Sequence, residues 1–118
     1  MSLKLSKKTP MKIKIHTRGV TLGDKREAVI RKKFEKLAKF AHRVGDESSE
    51  IRVELAHEEA RRKEDAYVCV LTLFVPQDTL RAESRSDSLE TAIDDVLEKI
   101  KGPIEYYKNK VHHISERR

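Results

Sequence analysis

The apolar residues of this chain follow two different periods, and the switch between these periods constrains the fold more than any other feature. Segments in which every second residue is apolar predict strands that bury one face. Segments with apolar residues three or four positions apart predict helices with one buried stripe. Along the 118 residues these segments follow the order strand, helix, three strands, helix. Charged residues make up 39% of the chain, but the regular apolar spacing indicates a folded domain rather than a disordered chain.

The first strand and the first helix are predicted from the N-terminal third of the chain. Apolar and charged residues alternate strictly over Lys12–Thr17, which predicts a half-buried strand. The region from Asp24 to Arg43 predicts a helix, and Gly45 suits its C-terminal cap. The buried stripe of this helix is predicted to contain Ile30, Phe34, Leu37 and Ala41.

Three further strands are predicted in the middle of the chain. Apolar residues alternate with charged ones over 51–55 and again over 80–84. Between them, Tyr67–Val75 is nearly continuously apolar, as expected of a strand at the centre of a sheet. The charged segment His57–Asp65 predicts a solvated hairpin loop or frayed strand ends, and Pro76–Asp78 predicts a turn. Short connections of this kind predict an antiparallel meander.

The last helix is predicted to begin at Asp87 or Ser88, with Glu90 as a capping-box partner of Asp87. Pro103 interrupts it, because a proline inside a helix lacks the N–H that the helix needs. Either the helix kinks there, or a new helix begins with Gly102 as its N-cap. A kink is favoured because the apolar stripe keeps its phase through Ile100, Ile104, Tyr107 and Val111.

These elements predict an α+β fold, a two-layer β-α-β-β-β-α sandwich in which two helices cover one face of a four-stranded sheet. The other face of the sheet is expected to carry side chains of mixed charge. Residues 11–118 are interpreted as one domain, and residues 1–10 as a basic N-terminal extension that is a candidate for disorder.

Positive charge is concentrated at one end of the chain. The net charge is +6, yet residues 1–45 carry +11 and the remainder −5. A basic segment of this kind favours a polyanionic partner such as nucleic acid. The single cysteine, Cys69, lies in an apolar run and is expected to be a buried, unreactive residue of a cytoplasmic protein. No segment is long and apolar enough to predict a membrane span or a signal peptide.

Cations form a stripe on the first predicted helix. At 100° per residue, they lie about 120–180° from Ile30, nearly opposite the buried face. The stripe consists of Lys25, Lys32, Lys36, Lys39 and Arg43. Like charges one turn apart repel one another, so a polyanion that bound here would relieve the repulsion. The alternative is an ordinary solvated face rich in lysine.

The second predicted helix carries a further group of cations. Lys99 and Lys110 share one side with Tyr106 between them, and Lys108 lies on the opposite flank. Tyr106 could stack on a base, and the alternative is a surface tyrosine that packs over a neighbouring side chain.

Neither catalysis nor a cofactor is predicted. The sequence contains no glycine-rich phosphate loop, no nucleophile elbow and no zinc-type spacing of cysteine and histidine. His112 and His113 are adjacent, so their side chains diverge by about 100° on a helix and are not expected to share a metal.

The order of elements and several short segments resemble the family of ribosome hibernation promoting factors, also called ribosome-associated inhibitors. In the first half of the chain the resemblance rests on Gly19–Leu22 after the first strand and on Lys33–Leu37 in the first helix. In the second half it rests on Leu89, Ala92–Asp94 and Lys99. It extends from about Met11 to Val111.

The resemblance implies a function and a set of contacts. Members of this family bind the small ribosomal subunit in the channel for tRNA and mRNA, and they stop translation during stress or stationary phase. This chain would then compete with tRNA, mRNA and initiation factors. The positions that would touch rRNA are Lys33, Lys36, Lys99, Lys108 and Lys110.

The chain also departs from the family pattern. Gly23 stands where threonine is common, Glu90 where tyrosine is common, and Gly102–Pro103 where the second helix usually continues past a basic residue. Because the chain ends soon after the second helix, the resemblance is to the short form of the family.

Two other functions remain open from the sequence. A different RNA-binding module, such as a duplex RNA binder or a ribosome assembly factor, would also present a basic helix. A protein-interaction role is the second alternative, because some relatives were named as sigma-factor modulators.

Overall fold

A computed structural model describes residues 12–41, 49–59 and 62–116, with side chains described up to residue 110. The predicted basic extension at residues 1–10, Arg43 and Gly45 lie outside the described residues. The strands are β1 (Lys12–Arg18), β2 (Glu50–His57), β3 (Tyr67–Val75) and β4 (Asp78–Ser86). The helices are α1 (Asp24–Phe40), α2 (Leu89–Lys99) and α3 (Lys101–Glu116), and a short 3-10 helix covers Lys63–Asp65.

The four strands form one sheet in the order β1-β2-β3-β4. β1 and β2 are parallel because α1 carries the chain back across the sheet between them. β2, β3 and β4 form the predicted antiparallel meander. The turn from β3 to β4 contains only Pro76 and Gln77, and Gln77 adopts a positive φ of 65°. The α+β fold and the order of its elements are therefore confirmed.

The core lies between the sheet and the helices. Val53 of β2 and Leu71 of β3 are opposite each other in the register and are fully buried. Phe34 of α1 and Ile93 of α2 are buried in the same cluster. Both helices therefore cover one face of the sheet, as the single apolar stripe of each helix predicted.

One glycine is required by the turn after β1. Gly19 has a φ of 71°, and a Cβ atom there would lie 2.9 Å from the carbonyl oxygen of His57. Both the left-handed backbone and the close approach to β2 exclude larger residues.

The structure moves one predicted helix boundary and decides another between its two predicted candidates. α1 ends at Phe40 with Ala41 as its C-cap, earlier than the predicted end at Arg43. Ser88 is the N-cap of α2, and its Oγ accepts a hydrogen bond from the Thr91 N–H at 3.2 Å. The capping box between Asp87 and Glu90 is wrong, because the carboxylate of Glu90 instead accepts a bond from Arg26 on α1.

The interruption of the last helix lies at Ile100 rather than at Pro103. Ile100 stays in the right-handed helical region and separates α2 from α3. Gly102 and Pro103 lie inside the first turn of α3, so the alternative with Gly102 as N-cap is wrong. Pro103 is tolerated because the first turn of a helix needs few N–H donors. The phase is kept, since Ile100, Ile104 and Tyr107 are all buried.

Tyr107 fastens α3 to the sheet. Its ring is only 5% exposed, and its hydroxyl donates a hydrogen bond to the carbonyl oxygen of Pro76 at 2.6 Å. One side chain of α3 therefore holds the turn between β3 and β4.

We expect Tyr107→Ala to lower the free energy of unfolding by about 2–4 kcal/mol, because it leaves a cavity and an unpaired carbonyl group. Tyr107→Phe removes only the hydroxyl and should cost about 0.5–1.5 kcal/mol. Urea denaturation measures both values. Tyr106→Ala is the control, since Tyr106 is 71% exposed and its loss should change stability by less than about 0.5 kcal/mol. An unchanged urea midpoint for Tyr107→Ala would show that α3 is not docked.

Candidate nucleic-acid interface

The cationic stripe of α1 is exposed along its whole described length. Lys25, Lys32, Lys36 and Lys39 are all exposed side chains. Within the described ranges, none of the four forms an ion pair or a hydrogen bond through its ammonium group. From Lys25 to Lys39 the stripe extends about 21 Å along the helix axis. The stripe is therefore a row of ammonium groups, carried on one helix, that are available to bind an anion.

The cations on the flank of α1 that faces α2 are already paired. The Nζ atom of Lys33 lies 2.7 Å from a carboxylate oxygen of Asp94, and Arg26 contacts Glu90 at 2.8 Å. Glu90 and Asp94 are four residues apart, so they lie on the same side of α2. These two pairs connect the helices. They also mean that Lys33 has a carboxylate of this protein as its partner, which the sequence did not predict.

The pKa of Glu90 is lowered by its position. Its own backbone N–H in the first turn of α2 has the largest effect, partial burial opposes it, and the hydrogen bond from Arg26 lowers the pKa further. Glu90 is therefore ionised at neutral pH and keeps Arg26 neutralised.

Some lysines of α2 and α3 contact other groups of the protein, and others do not. Lys99 donates a hydrogen bond to the carbonyl oxygen of Glu83 at 3.0 Å, and the Nζ atom of Lys108 lies over the Phe40 ring, 4.0 Å from its centre. Lys110 is exposed and has no partner in the part of the chain that the structure describes. Tyr106 is also exposed. Stacking of Tyr106 on a base, the less favoured of its two predicted roles, stays a prediction.

A cleft separates α1 from the junction of α2 and α3. Its volume is about 450 Å³, and its floor is formed by Leu37, Phe40 and Leu97. Lys36 and Lys101 stand on its walls. The sequence did not reveal this cleft, because its two sides are about sixty residues apart in the chain. The sequence signal at this place is Phe40 itself, which lies about 80° around α1 from Ile30 and so at the edge of the apolar stripe.

The opposite face of the sheet carries the predicted mixture of charges, and these charges neutralise one another. Glu50 contacts Arg52 at 2.9 Å and Lys14 at 3.9 Å. Glu58 contacts Arg85 at 2.7 Å. Most of the cations described on the sheet face therefore have a carboxylate partner, whereas the stripe lysines on the helical layer have none within the described residues.

The described residues show little that suggests chemistry. No group of three histidine, cysteine or acidic residues among them is arranged to hold a metal ion. Burial raises the pKa of the Cys69 thiol to about 12, so this residue is a protonated core side chain at neutral pH. No helix within the described part of the chain is long and apolar enough to cross a membrane.

Two solved structures are similar in fold. The N-terminal domain of Protein Y from Thermus thermophilus has a TM-score of 0.64 and 18% sequence identity, over 82% of this chain and 99% of that chain. A ribosomal subunit interface protein from Coxiella burnetii has a TM-score of 0.61 and 19% identity, over 83% of this chain and 98% of that chain. At these identities the two structures establish a shared fold.

The sequence itself identifies the family. A comparison with curated protein sequences found no significant match. Residues 13–112 match the family described as Sigma 54 modulation protein / S30EA ribosomal protein. This range includes all described strands and helices, apart from the first residue of β1 and the last residues of α3. This match agrees with the resemblance in the sequence and with the fold. The chain belongs to the Sigma 54 modulation protein / S30EA ribosomal protein family, a family of ribosome-associated proteins.

Proposed function

We propose that this protein binds the small ribosomal subunit in the channel through which tRNA and mRNA pass, and that it stops translation by occupying this channel. The row of exposed lysines on α1 that have no partner within the described residues carries the proposal. Family membership supports the ribosome as the partner. We propose that the protein acts in the cytoplasm, under stress or in stationary phase. On the ribosome it would compete with tRNA, mRNA and initiation factors.

The lysines are assigned different roles according to their partners. Lys25, Lys32, Lys36, Lys39 and Lys110 would contact phosphates of rRNA directly, and Arg43 continues the same sequence pattern. Lys99 and Lys108 are held by contacts within the protein, so they would contact rRNA from fixed positions. Lys33 would contact a phosphate only by exchanging Asp94 for it.

The first prediction concerns the stripe. Changing Lys32, Lys36 and Lys39 together to Glu should abolish co-sedimentation with ribosomes, because it reverses the charge of the row. The fold should persist, since the three side chains are exposed. Single Lys→Ala changes should each lower the slope of log affinity against log salt by about one.

A matched control changes the same amount of charge elsewhere. Lys12, Arg62 and Lys63 are exposed residues outside the helical layer, and their triple change to Glu should leave co-sedimentation in place. Equal loss of binding in both triple variants would mean that net charge alone attracts the protein. Unchanged binding of the stripe variant would contradict the proposal, and recovery of RNA polymerase without rRNA in a pull-down would favour the sigma-factor role.

The second prediction concerns the pair between α1 and α2. Asp94→Asn should strengthen ribosome binding by up to about five-fold and steepen the salt slope, because it releases Lys33 for a phosphate. Stability should change little, since both side chains of the pair are partly exposed. Fluorescence anisotropy of labelled protein, titrated with small subunits at several salt concentrations, measures both quantities.

Asp95→Asn is the control for this change. Asp95 is exposed, lies about 100° around α2 from Asp94, and has no ion pair within the described residues. Both variants alter the net charge equally. If they strengthen binding equally, the release of Lys33 is not the cause.

The third prediction separates occupancy from catalysis. In a purified translation system, activity should fall linearly with added protein and end near one protein per ribosome. Excess tRNA or initiation factor should restore activity, and so should higher salt, because phosphate contacts release counterions. Silencing of all ribosomes by a small fraction of that amount, or cleaved rRNA, would show that the protein is an enzyme.

A further inference from the structure

The cleft between α1 and the junction of α2 and α3 differs from the rest of the helical layer. At the N-terminal ends of α1 and α2, the ion pairs Arg26–Glu90 and Lys33–Asp94 bridge the helices. Beyond Lys33 no pair bridges α1 and α2 within the described residues. Leu97 and Phe40 remain half-buried there and both line the open cleft. The opening has the volume of a small-molecule site, about 450 Å³.

We propose that this cleft binds the base of one unpaired RNA nucleotide, with the adjoining phosphates held by the lysines on its walls. This inference rests on the proposed function and specifies which part of the rRNA the site would select. A nucleotide fits because its base has flat apolar faces while its phosphates are anionic. The floor of Leu37, Phe40 and Leu97 matches the base, and Lys36 and Lys101 match the phosphates.

The charges around the cleft favour an anion. Lys33, Lys36, Lys101 and Lys108 surround it, against two acids, Asp94 and Glu98. Asp94 contacts Lys33, and Glu98 contacts Lys101 at 3.1 Å. Lys36 has no such partner within the described residues. Lys36 is therefore the side chain that would bind a phosphate next to the bound base most readily.

Lys36 also connects the cleft to the stripe. It belongs to the exposed row on α1 and to the wall of the cleft. A strand of RNA whose backbone follows the row would pass the mouth of the cleft. Bases in a duplex are stacked and paired, so only an unpaired nucleotide can turn into such an opening. The site should accordingly discriminate single-stranded segments from duplex RNA.

Two short RNAs test this inference with the full chain. The first is an oligouridylate of about eight nucleotides, which is within the usual range for single-strand sites. The second has the same length and charge but lacks its bases. The strand with bases should bind about five-fold or more tightly, which corresponds to one stacked base. Equal affinities for the two strands would overturn the inference.

The position of the base is tested by variants and by NMR. Leu97→Ser should remove the preference for the strand with bases while leaving affinity for the abasic strand unchanged. Val29→Ser is the control, because Val29 is an apolar residue of α1 that is 56% exposed but does not line the cleft. In case Leu97→Ser fails to fold, the wild-type protein should show NOEs between uracil protons and the methyl groups of Leu97. NOEs to other residues alone would overturn the inference.

The ribosome complex gives the last part of the test. A photo-crosslinking amino acid at position 97 should label rRNA. Labelling of a ribosomal protein instead would mean that a polypeptide segment occupies the cleft, and the inference would be wrong.

If the strands bind equally while the stripe variant still loses ribosomes, only the cleft assignment fails. If the stripe variant keeps its ribosomes, the proposed function fails whatever the cleft does.

Discussion

The whole arrangement depends on covering one apolar face of the sheet. Val53 and Leu71 at the centre of that face are fully buried only because Phe34 of α1 and Ile93 of α2 pack against the same core. Burial of each such side chain contributes about 1.5–3 kcal/mol. This requirement fixes which side of α1 faces the sheet, and the period of the helix then places the lysines on the opposite side. The orientation of the cationic row is therefore a consequence of core packing.

Charge is distributed so that the row of lysines without carboxylate partners lies on the helical layer. Each acidic residue of the sheet face described above lies beside an arginine or a lysine, as Glu58 does beside Arg85 and Glu50 beside Arg52. The same neutralisation occurs between the helices, where α2 supplies carboxylates to α1. Exposed pairs of this kind add little stability, about 0–1 kcal/mol each. Their larger effect is on recognition, because each pair reduces the attraction of a polyanion to its own part of the surface while the stripe keeps its full charge.

Properties that depend on neighbours in the sequence could be predicted, and those that depend on distant contacts could not. Alternation and helical spacing were sufficient for the four strands, the order of elements and the buried stripe of α1, since each is a local period. The exposure of Lys32 and Lys36 followed from the same period. The pairing of Lys33 with Asp94 joins residues that are 61 positions apart, and no local pattern encodes it. The capping box failed for the same reason, because Arg26 of another helix binds Glu90.

The break at Ile100 has a consequence for binding as well as for stability. It allows α3 to begin at Lys101, beside the cleft, while buried Ile104 and the Tyr107 hydroxyl hold the helix to the sheet. Lys108 is thereby kept over the Phe40 ring. A lysine that is already held in place loses less side-chain entropy when it binds a phosphate than a freely moving one does. The stripe lysines would therefore contribute mainly long-range, salt-dependent attraction. Lys99 and Lys108, which contacts within the protein hold in place, would fix the register of the RNA. The contribution of Lys108 depends on how firmly α3 is docked.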